Sequence, residues 1–239
     1  MRSKYLLVLL IALLGTAGWV GPFSFLFDKN NNPIPVTQHT SDWIGQETRS
    51  INSQASNINP SVLKLSLNAY LNARHKGLDN KQVLTIIDYS KPSTERRLWV
   101  VDLKSGKVLF NTWVSHGKNS GQLMATSFSN QPGSLKSSIG VFQTDEPYIG
   151  GKGISLRLSG LEHGINDNAY NRDIVVHGAW YVNPQIIQSH GQIGRSWGCP
   201  AVSPELAKPL INTIKNNTLV VVYYPDKKWL KNSSFLATA

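Results

Sequence analysis

Ile174-Val-Val-His177-Gly-Ala-Trp180, followed by Ser189-His-Gly-Gln-Ile-Gly-Arg-Ser-Trp-Gly-Cys199-Pro-Ala-Val202, is the stretch on which this chain turns. The first part is a β-branched run that ends on an imidazole, the pattern of a buried strand delivering His177 to its end. The second is a loop punctuated by glycine, where backbone amides are free to turn towards a ligand. It closes on Cys199, the sole cysteine among 239 residues. A thiol at its ordinary pKa is only a few per cent thiolate at neutral pH, so a neighbouring imidazole is the usual activator. His177 precedes Cys199 by 22 residues, a gap that a short helix and a loop can fold back upon itself. A lone cysteine is equally well explained as a small buried hydrophobe. The chemical reading therefore requires His177 within hydrogen-bonding reach of the Cys199 sulfur, in a pocket open to substrate.

Outward from this stretch the chain reads as β-rich, mainly β with a few short helices. Val83–Asp88, Arg97–Asp102, Lys107–Val114, Gly140–Thr144, Ile154–Leu158, Asp173–His177 and Leu219–Tyr224 are strand candidates. Asn59-Pro60 caps a helix bearing Leu63, Leu67, Tyr70 and Leu71 and stopped by Gly77; Asn183-Pro184 and Ser203-Pro204 open two more. Strands and helices do not alternate regularly, which argues against a doubly wound sheet. Residues 18–57, rich in Asn, Gln, Ser and Thr, read as a linker, 58–226 as one catalytic domain and 227–239 as a C-terminal tail.

At the other end, Arg2 and Lys4 precede the apolar run Tyr5–Leu14 and the small residues Gly15-Thr16-Ala17. That is a signal peptide over residues 1–17, too short for a comfortable membrane span. The expected location is exported, in the periplasm or cell envelope, with no stable span after the signal is removed. A lone thiol in an oxidising compartment calls for a reason of its own. Lys and Arg outnumber Asp and Glu by 24 to 14, for a formal charge of +10. This balance favours anionic polymers without choosing among them; nucleic acid is not the expected partner.

His177-Gly178 and Ser196-Trp197-Gly198-Cys199 resemble, position by position, the active-site signature of the L,D-transpeptidases (the YkuD-type catalytic domain), and Arg195–Ala201 resembles its murein subgroup. The resemblance runs from about Asn59 to Tyr224. It implies an L,D-transpeptidase-type β-sandwich acting on peptidoglycan stem peptides. Cys199 is then the nucleophile and His177 its base, with Gly178 orienting the imidazole through its carbonyl. Gly198 and Ser196 support the oxyanion, and no cofactor is needed. Many members carry His where Trp197 stands, and Arg or Asn where Ala201 stands. His190, Arg195 and Trp197 are the candidates to contact substrate in their place, and Tyr148, beside Gly150-Gly-Lys-Gly153, the candidate for a flap.

Rival readings are a carboxypeptidase using water as acceptor and a non-catalytic wall-binding module. A papain-type peptidase is disfavoured because there the Cys precedes the His. A zinc site drawn from His116, His163, His177 and His190 lacks any metal-binding spacing, so no metal is expected. Fast alkylation of Cys199 near neutral pH is the expected mark of an activated thiol.

Overall fold

Val83–Asp88 (β1) is buried along its whole length, as a strand must be when both its neighbours and both its faces are covered. Leu98–Asp102 (β2) pairs with it antiparallel on one side and Leu219–Tyr223 (β8) parallel on the other. The remaining strands are Lys107–Thr112 (β3), Gly140–Gly150 (β4), Gly153–Gly160 (β5), Val175–Gly178 (β6) and Ala201–Val202 (β7). All eight join in one continuous sheet of order β3-β2-β1-β8-β4-β5-β6-β7. The computed structural model describes residues 36–237 except Asn80, so the expected signal peptide and residues 18–35 lie outside the described residues.

Helices cover this sheet where the sequence carries apolar faces. Pro60–His75 (α2) starts at Asn59, whose side chain accepts from the Ser61 amide at 2.8 Å. Its buried face of Val62, Leu63, Leu67 and Tyr70 lies over β1 and β8. Pro204–Ile214 (α4) buries Ala207, Leu210, Ile211 and Ile214 and packs on β5 and β6. Pro184–His190 (α3) bridges β6 to the cysteine loop and is capped by Asn183, which accepts from the Ile186 amide at 2.9 Å. A bulge between Thr144 and Pro147 lets a proline into β4 without breaking the hairpin with β5.

Two segments differ from the sequence reading. Residues 36–54, expected within the linker, form a helix, Val36–Gln54 (α1). Its core-facing row of Ile44, Thr48 and Ile51, continued by Ala55 just past its end, mixes small and polar side chains, which hides the helical period. Residues 227–239, expected as a tail, begin with Lys227–Asn232 (α5), which buries Trp229 completely. Ile51 is 0% exposed, so Ile51→Ala should cost about 2–4 kcal/mol. Denaturant unfolding reads this, and a loss near zero would mean that the helix contributes nothing to the core.

Candidate active site

The site is built where β6 and β7 run side by side. Their parallel register sets His177 opposite Ala201, two residues beyond Cys199. The strand thus carries the imidazole, and the loop feeding its neighbour carries the thiol. Both line one cavity of about 310 Å³, together with Lys152, Val175, Tyr181, Arg195, Ser196 and Trp197.

The imidazole is fixed by its own strand. Its Nδ1 lies 2.9 Å from the Gly178 carbonyl. A carbonyl only accepts, so Nδ1 carries the proton and Nε2 of the neutral ring keeps a lone pair. Burial lowers the His177 pKa below its ordinary value of 6.5, the Gly178 hydrogen bond opposes this, and the Lys152 cation adds to it. The ring is therefore neutral at physiological pH.

The cysteine loop is held by Ser196. Its hydroxyl donates to the Cys199 carbonyl at 2.6 Å and accepts from the Gly198 amide at 3.0 Å. Gly198 sits at φ +126°, and a Cβ there would lie 2.8 Å from the Lys136 carbonyl oxygen; only glycine fits. From the other side Ser115–Lys118 pairs with this loop, Ser196 N–H donating to the His116 carbonyl and Lys118 N–H to the Ser196 carbonyl. Gly117 is there because a Cβ would stand 2.9 Å from the Gly198 Cα. The sequence shows that segment only as a glycine-bounded turn.

Cys199 is partly exposed. Its thiol donates to the Asp173 carbonyl at 3.4 Å; among the described residues no hydrogen bond joins it to the imidazole, so the direct bond expected from the sequence is corrected to a shared cavity. Asp173 holds that carbonyl in place from a left-handed backbone at φ +52°, its carboxylate pinned by Arg157 at 2.6 Å. Burial raises the thiol pKa, while the Val175 amide and the Arg172 guanidinium pull it back. The two side chains that line this cavity are thus a neutral thiol and a neutral imidazole at rest.

Of the other expected residues, Arg195 and Trp197 line the cavity, and Trp197 is 76% exposed. His190 lies in an adjoining cavity of about 400 Å³, with Lys118, Trp180 and Gln192, which shares Tyr181 and Arg195 with the first. Tyr148 belongs elsewhere. Its ring lies 5.5 Å from the Arg157 guanidinium, in a separate groove with Tyr170, and Lys152 of the same hairpin reaches the thiol's cavity in its stead. The Gly198 amide, expected to face an oxyanion, is spent on Ser196. His116 is buried against Arg97 at 2.7 Å, and His163 pairs with Asp167 at 2.9 Å. Among the described residues no three His, Cys, Asp or Glu side chains gather into a possible metal site.

A sequence model of the L,D-transpeptidase catalytic domain matches residues 54–223. The chain belongs to that family. Among solved structures it is similar to an L,D-transpeptidase from Mycobacterium smegmatis, at 17% identity over 60% of this chain and 59% of that one, with a TM-score of 0.38. It is also similar to L,D-transpeptidase 1 of Mycobacterium tuberculosis, at 13% identity over 60% and 62%, TM-score 0.34. For an L,D-transpeptidase from Stackebrandtia nassauensis the figures are 14% identity over 78% and 93%, TM-score 0.36. The chain thus spans less than two thirds of the length of the two mycobacterial proteins. No curated protein matches its sequence.

Proposed function

We propose that this chain is an exported peptidoglycan L,D-transpeptidase that works by cysteine acyl transfer. The observation that carries this reading is the shared cavity of His177 and Cys199, with the imidazole neutral and its Nε2 lone pair available. His177 takes the Cys199 proton as sulfur attacks the carbonyl of the third residue of a tetrapeptide stem. The bond to the terminal D-alanine breaks, and the imidazolium returns its proton to the departing amine. With the Gly198 amide committed to Ser196, the Cys199 amide is the donor assigned to the oxyanion. An amine of a second stem then displaces sulfur from the thioester, giving a cross-link. The adjoining cavity, which shares Tyr181 and Arg195 with the first as walls, supports an amine as acceptor by giving a second peptide room beside the first.

Mass spectrometry after exposure to wall tetrapeptide or a carbapenem tests this reading. An adduct on Cys199 is expected, with a cross-linked dimer from two stems; no adduct would overturn it, and tripeptide alone would make water the acceptor. His190→Ala and Arg195→Ala should each raise KM on wall fragments several-fold. Unchanged turnover in both would remove those residues from the substrate site.

The pH dependence follows from the imidazole. A lowered pKa keeps His177 unprotonated further into acid, so the acid limb of kcat/KM should have its midpoint below 6.5. Lys152→Gln removes a repelling cation, raises the imidazole pKa and should move that limb towards neutrality. A limb at or above 6.5 in the unaltered protein would contradict the assignment.

A further inference from the structure

Arg172 stands half-buried between the β5–β6 connection and the cysteine loop. Its guanidinium donates to the Ser129 carbonyl and Ser138 hydroxyl at 2.5 Å, the Ser134 hydroxyl at 3.1 Å and the Lys136 carbonyl at 2.7 Å. Every partner is a neutral oxygen, and among the described residues no carboxylate pairs with it. A cation withdrawn from water without an anion is costly. Two contacts place it beside the cysteine loop. The Lys136 carbonyl that it binds is the one pressed against Gly198, and the next residue, Asp173, supplies the carbonyl that receives the Cys199 thiol.

We infer that Arg172 is the counter-charge of the Cys199 thiolate, a positioning residue that stabilises the anion formed when His177 removes the proton and again when sulfur leaves the thioester. The inference rests on the acyl-transfer reading above. It explains why a half-buried arginine here has no acid of its own: the missing anion is the transient thiolate.

The other charged or titratable groups around the sulfur are less suited. Lys152 is exposed at the hairpin tip, and Arg195 turns its guanidinium to the Lys118 and Gly121 carbonyls. His177 is neutral until it acts. The Asp173 carboxylate is paired with Arg157. Tyr89 and Tyr181, with pKa values raised by burial, stay uncharged. A neighbouring opposite charge lowers an acid's pKa, and the Arg172 cation lowers that of the Cys199 thiol against its desolvation.

The test is the pH dependence of Cys199 alkylation by iodoacetamide in the full chain, which needs no wall substrate. Arg172→Gln should raise the thiol midpoint by about one unit or more and slow alkylation at neutral pH about tenfold, whereas Arg172→Lys keeps the charge and should stay within about half a unit of the unaltered protein. A folded Gln variant with an unmoved midpoint overturns the inference. Should the Gln variant lose its cooperative melt, the Lys variant decides: a midpoint raised by about a unit or more in a folded protein would reduce Arg172 to a strut for the Ser129–Ser138 segment. Failure of the unaltered protein to form a Cys199 adduct with carbapenem would count against acyl transfer instead, and the alkylation titration would still read the charge pairing.

Discussion

Cys199→Ala should leave the melting curve in place and take both the covalent adduct and stem-peptide turnover to background. The side chain is partly exposed and bonds to backbone groups, the Asp173 carbonyl and the Val175 amide, so its truncation costs little stability. Its chemistry has no substitute, since it is the chain's sole cysteine. His177→Gln should behave differently. The nucleophile remains, so slow adduct formation survives, but with no base the acylation rate should fall by about 10²–10⁴-fold. Iodoacetamide would still alkylate that variant at high pH, where the thiol ionises unaided. Intact-mass measurement over time on both variants checks the pair. Turnover persisting in the alanine variant would place the reaction at another site.

His177 and Cys199 could be singled out as candidates because chemistry restricts such residues. An imidazole ending a β-branched strand and a cysteine closing a glycine-rich loop have few structural reasons to occur together. The central strands were legible for a different reason: Val83–Asp88 and Leu219–Tyr223 are buried almost throughout and read as β-branched, mostly apolar runs. What escaped was written in tertiary contacts. Lys152 reaches the thiol's cavity and Asp173 the thiol itself only because β5 pairs antiparallel with β6, which no local pattern announces. Tyr148 was sought at the site from its place beside a glycine-rich turn, yet its ring is drawn away to Arg157. Gly117 looked like a turn glycine, and its purpose, close approach to Gly198, depends on a partner some eighty residues away. α1 and α5 escaped because their anchors are sparse: Ile51 among polar residues, and Trp229 set among lysines.

That last anchor gives the largest expected loss of stability. Glu162 is buried just after β5. Its carboxylate accepts from the Val141 amide at 2.6 Å, from Trp229 Nε1 at 2.9 Å and from the Ser233 hydroxyl. One carboxylate thus ties α5 and the chain after it to the first residues of β4. Burial raises its pKa, and those three donors oppose the shift. Glu162→Ala would leave three donors unpaired in a dry cavity, and losing one member of such a buried network costs about 3–5 kcal/mol. For a domain of this size that lowers the melting temperature by roughly 6–20 °C. Glu162→Gln is isosteric but only partly rescues, because three donors converge on a carboxamide that offers one oxygen and presents an amine of its own. The expected order of melting temperatures is unaltered protein, Gln variant, then Ala variant, with amide hydrogen exchange rising in α5 before the sheet as the helix detaches first. A Gln variant as stable as the unaltered protein would mean that the carboxylate is not what holds the C-terminal helix down. The nucleophile's cavity lies on β6 and β7, beyond β5 from this tie, so carbapenem acylation of Cys199 below the new melting point should proceed in the Gln variant at close to the unaltered rate.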